Sequence, residues 1–393
     1  MSALKYWLWL TSLPGLGNQL RLALLQHFGS PEDVYFADEG RYFLAGADRE
    51  QAARLADKRL AEADRILGLC DRLHIRIVTL QDADYPDRLR NIFDPPCLLY
   101  ARGRMPRFDE ELAVAMVGTR TCTPYGIRAA EELGYGLAKG GALVVSGLAR
   151  GIDTASIRGA LRAGGVTAAV LGGGVDVVYP RENRALFEDV AAAGVLLSEY
   201  PPGTEPKPSH FPIRNRILSG LCAATLVVEA PERSGALITA NLALEQSRDV
   251  YAVPGPIFAR DSVGCNRLIR DGAGLVEEPW DLLRDYAERF PGKLRRSSQP
   301  APEELHEPPE PVEPARPAKP VLRLSHPDHP FTDDQIKVLR TLAEHGTLQA
   351  DDLIDLTEIP ARRLLSALTV LEIENLVSQE SGKHVSLAVT LME

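Results

Sequence analysis

The chain has 393 residues, more than one ordinary domain needs, so two or three folded parts with an ample core are expected. A hydrophobic share of 45% fits a globular protein; no run reaches the roughly 18 apolar residues of a membrane span, the start MSALKYWLWLTSLPG lacks a signal-peptide cleavage pattern, and a cytoplasmic location without membrane contact is expected. The formal net charge of -10 excludes a uniformly basic nucleic-acid binder, so any contact with a polyanion has to come from a local basic patch.

Residues 1–73 read as helices. Apolar residues recur at helical spacing through Leu20, Leu24, Leu25 and Phe28, and again through Ala53, Leu55, Leu60 and Ile66. The turn Pro14-Gly15-Leu16-Gly17 opens a helix that closes at Gly29, in the manner of a helix-hairpin-helix or SAM-like unit. Such a hairpin can offer unpaired backbone N–H groups to a phosphate, but a small bundle packed on its neighbour explains the same pattern and is the favoured reading.

From 74 to 290, the runs IRIVTL, LAVAMVG, ALVVSG, TAAVLGGG, VLLSEY, TLVVEA and DVYAVPG alternate with amphipathic stretches. That alternation predicts an α/β domain with a Rossmann-like parallel sheet wrapped by helices. Residues 291–330, centred on QPAPEELHEPPEPVEPARPAKP, are too rich in proline and glutamate to bury a core and read as an extended linker. Residues 331–393 follow the order helix, helix-turn-helix, short hairpin, which predicts a winged helix. Acidic residues outnumber basic ones there, which favours a protein contact or weak DNA contact over tight duplex reading.

Ligands of an open parallel sheet sit beyond the carboxyl ends of the strands, so the candidate residues lie in those loops. Gly118, Thr119 and Arg120 follow one strand, and backbone donors beside an arginine fork suit a phosphate. Gly147 and Arg150 follow the next, with Asp153 as a candidate helix cap, and Arg181 follows a glycine run and Tyr179-Pro180. The stretch Lys207-Pro208-Ser209-His210-Phe211-Pro212-Ile213-Arg214-Asn215-Arg216 interleaves cations with a ring, the combination that grips the phosphates and stacks the bases of a single strand. Plainer readings stand beside these: Phe211 as core packing, His210 as a structural histidine, and one of Arg214 and Arg216 as a buried ion-pair member. Ser234 and Gly235 open a small-residue helix able to bind another anionic group or simply to be capped.

Several functions fail on inspection. GxxxxGK[ST], GxSxG and HExxH are absent, and the glycine clusters do not match GxGxxG opening the first unit, so neither cofactor, metal nor catalytic residues are expected. The five cysteines are scattered with no CxxC pair, and are expected to be reduced and mostly buried. Two alternatives stay open: a nucleotide-processing enzyme, because PERSGALITAN loosely resembles a phosphoribohydrolase phosphate loop, and a winged-helix regulator with a sensory α/β domain.

The segments VGTRTCTPYG, SGLARGIDTASIRGAL, AVLGGGVDVVYPRENRALF, LLSEYPPGTEPKPSHFPIRNRILSGL, VVEAPERSGALITANLALEQSRDVYAVPGPI and GCNRLIRDGA together resemble the DNA-processing protein A family, also called Smf, densely from Tyr85 to Asp285. The resemblance implies an extended Rossmann-like domain, non-catalytic, that binds and shields single-stranded DNA without sequence preference and loads RecA onto it in natural transformation and recombination. It also implies a homodimer formed through that domain. Carried over residue by residue, it places the strand-binding pocket on Arg120, Arg181, Lys207 and Phe211, with backbone donors at Gly118 and Gly147 and support from Arg214 and Arg216.

Overall fold

The computed structural model describes residues 3–296, 321–323, 331–380 and 384–392. They divide into two units, Met1–Gln299 and Pro300–Glu393.

The first unit opens with six helices: α1 (Leu4–Ser12), α2 (Asn18–Phe28), α3 (Pro31–Phe36), α4 (Glu39–Tyr42), α5 (Arg49–Leu55) and α6 (Ala61–Leu73). Local chemistry sets their ends. Gly29, at φ 89°, donates back to Leu25 O and closes α2; Ser30 then caps α3, with Pro31 at its first position. The Pro14–Gly17 turn is covered from within the bundle. The Arg54 guanidinium donates to Pro14 O and occupies the space in which Gly15 would carry a Cβ. Nor do these helices form a core of their own: Trp9, Leu24 and Tyr42 share one continuous apolar cluster with Leu98, Leu112 and Leu133 of the α/β layer.

That layer is a nine-stranded sheet. Its elements in chain order are β1 (Arg76–Thr79), α7 (Asp87–Arg90), β2 (Leu98–Gly103), β3 (Ala113–Val117), α8 (Pro124–Lys139), β4 (Leu143–Ser146), α9 (Ile152–Arg162), β5 (Thr167–Val170), α10 (Arg184–Ala193) and β6 (Val195–Ser198). There follow α11 (His210–Leu221), β7 (Ala224–Val227), α12 (Gly235–Glu245), β8 (Asp249–Ala252), α13 (Val263–Arg270), β9 (Gly274–Leu275) and α14 (Pro279–Leu283). The spatial order is β1-β2-β6-β5-β4-β3-β7-β8-β9. From β6 to β9 the pairs are parallel, and β1 and β2 are added antiparallel at one edge. Strands β3 to β7 are buried along their whole length, as both faces of a parallel sheet must be when helices cover them. The chain runs outward from β3 to β6 and then returns to place β7 on the other side of β3. The strand order therefore reverses at β3, and a crevice opens beyond the carboxyl ends of β3 and its neighbours.

The folded part continues past 290. Leu294 packs on the core, Lys293 reaches Glu111 at 2.9 Å and the Arg295 N–H donates to Gly140 O, so an apolar side chain and a neutralised charge keep 291–296 on the domain. The proline- and glutamate-rich centre of the expected linker lies outside the described residues.

The second unit contains β10 (Val321–Arg323), α15 (Asp333–His345), β11 (Leu348–Gln349), α16 (Ala350–Thr357), α17 (Ala361–Ile373), β12 (Val377–Glu380), β13 (His384–Leu387) and β14 (Thr390–Met392). Thr332 and Gln335 form a capping box at the start of α15. Val338, Leu342, Leu353, Leu364 and Leu371 make a small core, with β11, β13 and β12 forming the antiparallel wing, so this is a winged helix.

Helices α8 and α9 pack with their backbones close together because Gly134 and Gly159 face the contact: a Cβ on Gly159 would fall 2.0 Å from Glu131 O. Gly159→Ala is expected to lower the unfolding free energy by about 1–3 kcal/mol through overpacking, as read by urea denaturation.

Candidate nucleic-acid interface

The loops after β3, β4 and β5 meet the start of α11 at one rim of the sheet, and each is braced from inside. Gly151, at φ 75°, lies against the main chain of the β3 loop; a Cβ there would fall 2.4 Å from Thr119 O and 2.9 Å from Arg120 O. Ile152 N–H donates to Thr119 O at 3.3 Å, so the backbone that carries Arg120 is pinned by its neighbour. Thr123 caps α8, and its N–H and hydroxyl both donate to the buried Glu229 carboxylate at the end of β7, at 2.8 and 2.5 Å.

Phe211 stands in the first turn of α11, half-buried. The Arg120 guanidinium lies 4.8 Å from the centre of its ring, and the Tyr179 ring lies 5.6 Å away. A small pocket here is lined by Gly147, Gly172, Gly173, Tyr179, Pro206 and Phe211. Arg120, Arg181 and Lys207 are exposed, and none of them has a carboxylate within ion-pair distance among the described residues. His210 is structural: its Nδ1 is 2.9 Å from Gly172 O and its ring stacks on Tyr200 at 4.1 Å.

Arg214 lies one helical turn after Phe211 and so shares its face of α11, but it points inward. Only 4% exposed, it donates from Nη1 to Val170 O at 2.8 Å, while its Nε has no partner. Asp153, at the start of α9, is buried as well and accepts the N–H groups of Gly147 at 3.1 Å and Ala149 at 3.3 Å. Burial pushes the Asp153 carboxyl above its ordinary value against the pull of Arg214, and burial lowers the Arg214 guanidinium against the pull of Asp153.

This arrangement revises the expected backbone donors. The Gly147 N–H is spent on Asp153, and the residue is glycine because a Cβ would fall 1.8 Å from Arg214 Nη1. Gly118 is glycine for packing: a Cβ would fall 2.4 Å from Ile152 Cγ1.

Arg216 lies about 140° around α11 from Phe211, by helical geometry, and does not reach the rim. Only 8% exposed, it donates to Asp94 at 2.7 Å and to Glu199 at 2.8 and 2.9 Å. Burial works to lower this guanidinium, but the two carboxylates outweigh it and raise it. Asp94 also accepts from Asn18 and Gln19 of α2, each at 2.8 Å, so a partly buried polar chain joins the front helices to α11. Arg216 therefore positions α11. Arg150 pairs on the surface with Glu182, and Asn215 is half-buried with its carbonyl accepting from Ser219. Ser234 accepts from Ala236 N–H as the cap of α12, and Gly235 is exposed with open space around it. Both follow β7 on the same edge of the sheet.

Tyr179 and Glu229 were not evident as site residues from the sequence. A tyrosine before a proline and a glutamate at a strand end carry no signal of their partners, which come from distant parts of the chain. Four of the five cysteines are buried and Cys122 is partly so; burial pushes the Cys70 thiol up to about 11. Among the described residues no cluster of three metal-ligating side chains occurs.

Residues 76–287 match the family model of DNA recombination-mediator protein A, and residues 307–383 match that of the DprA winged helix domain. Protein Smf of Synechocystis is 34% identical over 401 residues, covering 96% of this chain and 97% of that one. The chain belongs to the DNA recombination-mediator protein A family. DNA processing protein DprA of Streptococcus pneumoniae is 44% identical over 210 residues, 53% of this chain and 73% of its own. The X-ray structure of DprA from Streptococcus pneumoniae superposes with a TM-score of 0.64 at 36% identity, covering 72% of this chain and 99% of that one. DNA processing protein A of Helicobacter pylori, known for a unique single-stranded DNA binding mode, superposes with a TM-score of 0.50 at 29% identity, covering 56% of this chain and 99% of that one.

Arg216→Ala would strand Asp94 and Glu199 in a poorly hydrated junction. It is expected to lower the unfolding free energy by about 3 kcal/mol in urea denaturation, with part of the loss recovered when Glu199→Gln is added.

Proposed function

We propose that this family member binds single-stranded DNA without regard to sequence, in the pocket between Arg120, Tyr179 and Phe211, and shields the strand. The observation that carries the reading is the Arg120–Phe211 stack; Arg181, beyond Tyr179, and Lys207, just before α11, are exposed on the adjoining loops, and none of the three cations has a carboxylate partner among the described residues of a chain whose net charge is -10. Cations follow phosphates and a ring stacks on a base that has no complementary strand. In the chain alone Arg120 covers one face of Phe211. An entering base takes that face, and the guanidinium turns to a phosphate oxygen. Gly172 and Gly173 leave room beside the ring, where a Cβ on Gly172 would fall 3.1 Å from Phe211 Cδ1. The reading agrees with what is known of the Helicobacter pylori relative, a single-stranded DNA binder.

Binding rather than catalysis is the activity, in keeping with a family of recombination mediators. Delivery of the strand to RecA in transformation, and pairing of two copies through the α/β domain, are read from family membership. A cytoplasmic site of action is likewise read from family membership; among the described residues no helix is long and apolar enough to cross a membrane. The winged helix is read as a protein-contact module. On α17, the second helix of its helix-turn-helix, Arg363 is engaged by Asp334 at 2.8 Å, while Leu365 and Ile373 are exposed.

Arg120→Ala, Arg181→Ala and Lys207→Ala are each expected to weaken oligothymidine and mixed-sequence oligonucleotides alike, and to flatten the slope of log affinity against log salt by about 0.7 per cation. Phe211→Ala is expected to lose about 1–3 kcal/mol with little change in slope. Fluorescence anisotropy titrations at several salt concentrations separate the two. A slope flattened by Phe211→Ala, or affinities unchanged in all four variants, would contradict the assignment.

A further inference from the structure

The edge of the sheet that holds the pocket extends beyond it. β7 and β8 follow β3 in the spatial order, so the loop after β8 begins two strands away, about 10 Å at about 4.8 Å per strand. Hydrogen bonds brace this outer part against the inner one. Thr123 is held by Glu229 at the end of β7, and the half-exposed Tyr125, in the first turn of α8, donates its hydroxyl to Pro254 O at 2.8 Å. Gly264 N–H donates to Ala230 O at 2.8 Å, and the Gly255 main chain is gripped by Asn266 through both its N–H and its C=O.

On this fastened loop Ile257 is 78% and Phe258 94% exposed. Arg260 follows two residues later, and Arg233 rises from the adjoining β7 loop. Both arginines are exposed and neither has a carboxylate partner among the described residues. The neighbouring Glu232 faces a different cation, Arg267, at 3.9 Å.

We infer that a single strand gripped at Arg120 and Phe211 continues along this rim, with Phe258 as a second stacking platform and Arg233 and Arg260 on the phosphates between. The inference rests on the single-stranded DNA reading of the pocket. Three observations favour a nucleic acid over a protein as the occupant of the loop. Arg260 follows the ring by two residues and Arg233 stands on the adjoining loop; the ring lies on the same line of strand ends as the Arg120–Phe211 stack; and Tyr125, between the two, bonds this loop through Pro254 O and presents another exposed ring.

The test is affinity as a function of strand length, measured on the full chain with oligothymidines of about 6 and about 25 nucleotides, lengths that bracket a single site and an extended track. Phe258→Ala is expected to weaken the long strand about tenfold and leave the short one unchanged, Phe258→Trp to restore the long-strand affinity, and Arg233→Ala with Arg260→Ala to reduce its salt dependence. Arg120→Ala should weaken both lengths. If Phe258→Ala binds the long strand as the wild type does while Arg120→Ala fails on both, the extended track is wrong and the pocket stands. If Arg120→Ala leaves both lengths unchanged, the pocket itself is wrong. If Phe258→Ala alters self-association in sedimentation but not DNA affinity, the loop is a protein contact and the inference falls.

Discussion

The rim of the sheet is organised around a guanidinium that never reaches it. Arg214 fills the space beneath Gly147, bonds the last carbonyl of β5 and lies in the field of Asp153, which in turn fixes the main chain of the β4 loop. Because Arg214 shares a helix face with Phe211, this one side chain couples the end of β5, the turn after β4 and the start of α11. The cost of placing a charge there is offset by one hydrogen bond and by the opposing carboxylate, so its removal would loosen every loop that meets the pocket. Arg216 anchors the other side of the same helix to Asp94 and Glu199, and through Asp94 to the front helices. The stacking ring therefore sits on a helix secured at both faces.

Local charge then decides what such a rim can hold. Several surface arginines elsewhere are neutralised by carboxylates, as Arg102 is by Glu188 and Arg162 by Glu132. Arg120, Arg181 and Lys207 are not; Arg120 lies over the Phe211 ring, and the other two stand on the loops beside it. Exposed pairs contribute little to stability, whereas cations left without partners keep their full capacity for phosphate. An acidic chain can in this way present a basic groove while its body repels the same polyanion.

Much of this could be read from residue order. The alternation of short apolar runs with amphipathic stretches marked the parallel sheet, and the loops after its strands marked the rim. Lys207, Phe211 and Arg120 stood out because cation and ring were interleaved at positions where a sheet exposes its ligand site. What could not be read was the division of labour between Arg214 and Arg216. They lie two residues apart in one motif, and their different fates depend on Val170, Asp94 and Glu199, which only the tertiary fold brings near. The donor role of the Gly147 amide failed for the same reason, since its acceptor, Asp153, is set by how the next helix begins. That the front helices pack on their neighbour was the favoured reading of their sequence, and the shared core agrees, but the partners Leu98, Leu112 and Leu133 were hidden: helical periodicity shows which face is apolar but not what covers it.

The most direct measurement of the central claim is photocrosslinking of a single-stranded oligonucleotide carrying 5-iododeoxyuridine, with the adducts mapped by mass spectrometry. A base stacked in the pocket would place the adduct on Phe211 or Tyr179, in peptides from the rim. Adducts confined to the winged helix or to the front helices would contradict the account.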